Sequence, residues 1–199
     1  MTKKRTKPAS RIRRSSAIEE LWTELNSINV RNHQSTRRVQ MPLLRRIART
    51  LVSQLLHKKY VELGVSLVEE AEMAQLNEDY MGHKGSTDVI ALDYCEVLSK
   101  SIAGEIFVCV EEACFQAKRF RSTWQGELVR YVVHGALHLS GYDDQRAKDR
   151  RRMKEAEEQL LGELAKRFRF SELAGKKPGG RGSKAERTPK PETRSRVRQ

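Results

Sequence analysis

Two hydrophobic periods alternate along this chain. From Met41-Pro42, the apolar positions Leu43, Leu44, Ile47, Leu51, Leu55 and Leu56 recur at helical spacing, and Pro42 suits a first helical turn. Val61-Glu-Leu63-Gly-Val65-Ser-Leu67 alternates with period two and predicts a strand. Ile28-Asn-Val30 begins a short strand before them. Glu69 to Met81 predicts a helix stopped by Gly82. Thr87 to Leu92 and Ala103 to Val110 predict two further strands, and Glu111 to Phe120 a helix. Upstream, Ser15-Ser16 followed by Ala-Ile-Glu-Glu-Leu-Trp predicts a short serine-capped helix.

Trp124 to Ser140 predicts a buried helix broken by Gly141. A last helix from Gln145 to about Phe168 places Met153, Ala156, Leu160, Leu164 and Phe168 on one face. This order of elements predicts an α+β fold, a small mixed sheet of about four strands packed against helices.

Composition divides the chain. Residues 1–14 hold seven Lys and Arg and no acid; residues 171–199 hold nine against three acids. These two stretches account for the whole formal charge of +13. The expected organisation is a disordered basic arm over 1–15, one folded domain over 16–170, and a disordered basic tail over 171–199. Two readings of the arms stand. They attract phosphate of RNA or of the ribosome without regard to sequence, or they are solvated segments that aid solubility. Cys95, Cys109 and Cys114 form no C-x-x-C pair, which suits a reducing compartment, and Cys109 sits in an apolar run that marks it as core. No apolar stretch reaches the roughly 18 residues of a membrane helix. The basic N-terminus has no apolar run of a secretory signal, so the expected location is the cytoplasm.

The chemistry concentrates in the 124–140 helix. At about 100° per residue, Leu128, Val129, Val132, Val133, Ala136 and Leu137 cover one side. His134 and His138 fall together on the other, in a stripe with Glu127, Arg130 and Tyr131, facing a groove or solvent. Spacing of i, i+4 lets both imidazoles bind one cation. Gly141 can take a left-handed conformation and turn the chain back, so that the Asp144 carboxylate approaches the rings. Ligands at relative positions 1, 5 and 11 with glycine at 8 match the spacing of H-E-x-x-H-x-x-G-x-x-H. Three ligands leave a fourth position for water, as in catalytic zinc sites. Metalloproteases of this kind carry a glutamate general base after the first histidine; here that position is Gly135, which cannot take a proton but permits close approach of substrate or backbone.

His134-Gly-Ala-Leu-His138-Leu-Ser-Gly141-Tyr-Asp-Asp144 resembles the H-G-x-L-H-L-x-G-Y-D-H signature of the YbeY endoribonucleases, also called rRNA maturation factors. Ten of its eleven positions fit. The likeness extends to Ile28-Asn-Val-Arg-Asn32, to Leu76-Asn-Glu-Asp-Tyr80 with Gly82, to Thr87-Asp-Val-Ile and to Gly104-Glu-Ile, and covers roughly residues 27–165. The resemblance implies an α+β fold and one metal ion, usually zinc, held by His134, His138 and, by position, Asp144. It also implies cleavage of single-stranded RNA in ribosomal RNA maturation and ribosome quality control, with ribosome or ribosomal proteins as partners.

This chain departs from the pattern twice. Asp144 stands where the family usually has histidine; the carboxylate lowers the charge of a divalent site from +2 to +1 and favours manganese more than imidazole does. Met81 stands where the family usually has an arginine that helps with RNA. His83, Lys84 and Arg130 are the RNA-binding candidates that remain, with a mobile polar loop the competing reading for the first two. Glu127 and Asp143 could fix an imidazole tautomer, but a surface salt bridge with Arg130 is favoured for Glu127, and a turn is the alternative for Asp143. The general base is unassigned. The alternative function is a ribosome-assembly factor that binds RNA around a structural metal without cutting it. A metallopeptidase ranks third because of Gly135.

Overall fold

A computed structural model of the protein describes residues 26–94 and 100–175. The serine-capped helix, the basic arm, Cys95 and most of the basic tail lie outside the described residues. Four strands form one mixed sheet in the order β1-β2-β4-β3: β1 (Asn26–Asn32), β2 (Tyr60–Val68), β3 (Val89–Asp93) and β4 (Ser101–Cys109). β1, β2 and β4 run parallel and β3 pairs antiparallel to β4. The expected α+β architecture is the observed one.

Strand period two sorts the faces. In β2, Val61, Leu63, Val65 and Leu67 stand beside Ile102, Gly104, Ile106 and Val108 of β4, and Ile28 and Val30 of β1 join the same face. These side chains are buried with three helices: α1 (Met41–Arg49), α4 (Trp124–His138) and α5 (Ala147–Arg167). Each large apolar side chain fully withdrawn from water here stabilises the fold by about 1.5–3 kcal/mol. The other face is more polar. Val68, Met73, Ile90 and Cys109 make a small second cluster under α2 (Glu70–Leu76), while Arg31, Glu62 and Glu105 stay near water. α3 (Val110–Phe120) packs on α4.

Two predicted helices change pitch. The first continues from α1 as a π-helical turn over Thr50–Leu55, and the second from α2 as a π turn over Asn77–Met81 that ends at Gly82 with φ 69°. Hydrophobic spacing does not separate 3.6 from 4.4 residues per turn over five or six residues, so periodicity reads both as plain helix. The ordered fold also runs past residue 170. Leu173 is buried, its carbonyl accepts from Gln40 N at 2.9 Å, and Gly175 N donates to Arg38 O at 3.0 Å. Residues 171–175, read as the start of the tail, are held to the body by this apolar anchor. Cys109 is buried and free, as core reading required. Among the described residues no helix is long and apolar enough to cross a membrane.

Candidate metal centre

α4 begins at Thr123, whose hydroxyl accepts from Gly126 N at 3.2 Å. Its far end closes in a Schellman motif: Tyr142 N donates to Leu137 O at 3.1 Å and Gly141 N to His138 O at 2.9 Å. Gly141 takes φ 89°, the conformation glycine adopts without steric cost. This reversal does two things. It aims the Tyr142 carbonyl at His138 Nδ1, 3.2 Å away, and it brings Asp144 back toward the helix.

His134, His138 and Asp144 each offer a ligand atom within 4.8 Å of the other two. His134 Nδ1 lies 3.0 Å from Glu157 Oε2 on α5. A carboxylate and a carbonyl oxygen only accept, so both Nδ1 atoms carry the proton. Both neutral rings then present bare Nε2 lone pairs, and these face each other at 3.1 Å. Two lone pairs at that distance repel unless a proton or a cation lies between them. A zinc ion about 2.1 Å from each donor spans ligand atoms up to about 4.2 Å apart. The widest separation here exceeds that by a fraction of an ångström, within reach of a rotation of the half-exposed Asp144 carboxylate. The donor set therefore fits a divalent metal.

Electrostatics agree with that geometry. Burial works to lower the His134 pKa, but the Glu157 hydrogen bond and the charges of Glu157, Asp88 and Asp144 outweigh it and raise it above the usual histidine value. His138 is lowered, by burial first and by its neighbour His134 second. Glu157 is buried, which opposes its charge, yet its bonds to His134 and Arg130 hold its pKa below the usual value.

Two cavities flank the ligands and share Asp88, His134 and Asp144. One, of about 320 Å³, lies toward α5 and is lined also by Arg130, Tyr131, Arg150, Met153, Lys154 and Glu157. The other, of about 390 Å³, lies toward β3 and is lined by Asn77, Met81, Thr87, Val89, Ile90, Ala91 and His138. His134 and His138 are half-buried and border these cavities.

The chain matches a family model described as endoribonuclease YbeY over residues 29–165. It belongs to the endoribonuclease YbeY family. It is 32% identical over 133 residues to the endoribonuclease YbeY of Chlorobium luteolum, covering 66% of this chain and 95% of that one. It is 29% identical over 140 residues to that of Petrotoga mobilis, covering 70% and 96%. The fold is similar to a solution structure from Thermotoga maritima, with 26% identity, a TM-score of 0.54, and coverage of 78% of this chain and 100% of the other.

Within this family member the remaining candidates take varied places. Arg130 lines the α5 cavity, but its guanidinium meets Glu157 and Glu158 at 2.6 Å and Glu127 at 3.5 Å. Glu127 does pair with Arg130, but it is buried, and it also accepts from Ser122 at 2.5 Å. Tyr131 is buried as well, so the stripe is less open than its polarity suggests, although Tyr131 still borders the α5 cavity. Asp143 Oδ1 accepts from Gln145 N at 3.1 Å and shapes a turn. His83 and Lys84 are exposed and line neither cavity. A Cβ on Gly135 would come within 2.7 Å of Ile106 Cγ2, so its close neighbour is β4, not a substrate.

Asp88 and Glu157 at the site went unassigned in the sequence, as did Arg150 and Lys154. Asp88 sits between the cavities, Oδ1 accepting from Thr87 Oγ1 at 3.1 Å and Val89 N at 3.0 Å. Glu157 had a legible signal: it falls among Met153, Leu160, Leu161 and Leu164 on the apolar stripe of α5, where a lone carboxylate requires a partner.

Proposed function

We propose that this protein is a metal-dependent endoribonuclease, with zinc held by His134, His138 and Asp144, that cuts single-stranded RNA during ribosomal RNA maturation and ribosome quality control in the cytoplasm. What carries the reading is the pair of Nε2 lone pairs converging with a carboxylate beside an open groove, in a chain of the endoribonuclease YbeY family. Structural zinc sites are closed by four protein ligands, whereas catalytic ones keep a position open. Three ligands bordered by two cavities match the second kind.

A bound zinc ion would supply Lewis acidity to a phosphate oxygen and lower the pKa of a water. The chain's own residues do the rest. Glu157 holds the proton on His134 Nδ1, and the Tyr142 carbonyl holds it on His138 Nδ1, so both Nε2 atoms face the groove as acceptors. Asp88 faces the same space with Oδ2 free of hydrogen bonds to described residues. The cationic ends of the chain raise the local concentration of RNA and bring it to the ribosome.

The test is cleavage of labelled single-stranded RNA by untagged protein, with metal content measured by mass spectrometry. Cleavage that stops with chelator, returns with zinc and is absent from a His134→Ala/His138→Ala double variant supports the reading. Binding without metal-dependent cutting would replace it with a non-catalytic ribosome-assembly factor. The charge of Asp144 is tested alongside: Asp144→His should hold zinc more tightly relative to manganese, and an unchanged preference refutes that effect.

A further inference from the structure

We propose that Arg150 and Lys154 on α5 form the anchoring site for the RNA backbone beside the metal centre. This rests on the endoribonuclease reading. The two cavities differ in charge. The β3 cavity has no Lys or Arg in its lining; Asn77, Thr87 and Asp88 join the ligands His134, His138 and Asp144 there, beside Met81, Val89, Ile90 and Ala91. Apart from an ion held by those three ligands, a phosphodiester drawn there meets no cation.

The α5 cavity has three cations, Arg130, Arg150 and Lys154. Arg130 is committed to Glu127, Glu157 and Glu158, so its charge is already neutralised. Arg150 is different. Its Nε donates to Asp144 O at 2.9 Å and its Nη2 to Gln145 O at 3.1 Å. Both partners are neutral carbonyls, which orient the guanidinium and leave its charge intact. Five N–H donors belong to the group, so others remain to grip a phosphate in the forked manner guanidinium favours. Lys154 lies four residues on, one turn along the same face of α5. Among the described residues neither Arg150 nor Lys154 has a carboxylate within ion-pair distance. Two un-neutralised cations, one already oriented by main-chain carbonyls, thus border the cavity that also holds His134 and Asp144. A phosphate bound to them would lie next to the one at the metal centre.

Arg150 does a second job, since its bonds to residues 144 and 145 steady the loop that delivers Asp144. Lys154 has no such tie and is exposed, so it separates the two roles. The experiment is equilibrium binding of a fluorescent oligouridine to the full chain in chelator, across a range of salt concentrations. Lys154→Ala should weaken binding several-fold at low salt and flatten the slope of log affinity against log salt by about 0.7, one phosphate contact on a single strand. Lys154→Glu should weaken it further, and Lys154→Arg should restore it. Arg150→Ala should lose RNA affinity and also metal affinity, whereas Lys154→Ala should lose only the first. The ends of the chain contribute equally to every variant and cancel in the difference. RNA binding by the wild type with unchanged affinity and slope in Lys154→Ala and Lys154→Glu would overturn the anchoring site alone. A wild type that neither binds nor cuts RNA would overturn the endoribonuclease reading and the anchoring site with it.

Discussion

The two halves of the candidate metal centre are built differently. His134 and His138 project from one turn of a helix whose opposite side is packed into the main core, and each ring has its Nδ1 tied to a fixed acceptor. Asp144 projects from a loop with exposed neighbours, and what steadies it is main-chain bonding to Arg150. The helix half is pre-formed: its rings lose little freedom on binding an ion. The loop half must order its carboxylate. Pre-organisation of one pair and adaptability of the third ligand suit a site that first captures an ion and then leaves room for substrate.

Mutation can break that comparison. His134→Ala or His138→Ala should weaken zinc binding by more than about 100-fold, beyond the range seen for outer partners, measured by competition with a chromophoric chelator. A loss no greater than that of the other variants would place the binding elsewhere. Glu157→Gln should cost about 10–100-fold in zinc affinity, because the amide no longer enforces the Nδ1 proton on His134. An unchanged affinity would show that packing alone orients the ring. Arg150→Ala should cost less, on the order of 3–10-fold in zinc affinity, taking the low end of that outer-partner range, since it loosens only the loop half.

Acidity sharpens the same contrast. Ligation needs both imidazoles neutral. His134 has a raised pKa, so protons begin to compete for it above the usual histidine value, and zinc occupancy falls as pH drops through that range. In the metal-free protein the sign is opposite. A histidine with a raised folded pKa contributes stability that is fully present below its unfolded pKa and is lost as pH rises through the folded one. The gain in Tm on adding zinc should therefore widen between about pH 5 and pH 8. A gain that is flat across this range would mean that His134 is not a ligand.

Much of the fold was legible because burial repeats locally. The alternation in Val61–Leu67 and the 3.6 spacing of Leu44, Ile47 and Leu51 each state which side chains must leave water, and the structure buries all of these. The histidine pair was legible for the same reason: i, i+4 on a helix is a distance that sequence alone specifies. Gly141 was legible through its positive φ. What the sequence left incomplete shares a cause. Gly135 was read as allowing close approach of substrate or backbone, Glu127 as a surface partner of Arg130, and Arg130 as an RNA-binding candidate without its further partners on α5. In each case the deciding neighbour, Ile106, Ser122 or Glu157, comes from another element.

Sequence by itself determined what a single helical turn and its cap can determine: two imidazoles on one face, a glycine reversal and a carboxylate within reach. Only the tertiary structure decided which tautomer His134 holds, because Glu157 lies 23 residues away and meets it through the packing of α5 on α4. It also decided which cations around the groove keep their charge. Such pairings depend on distances between elements, and no local period encodes them.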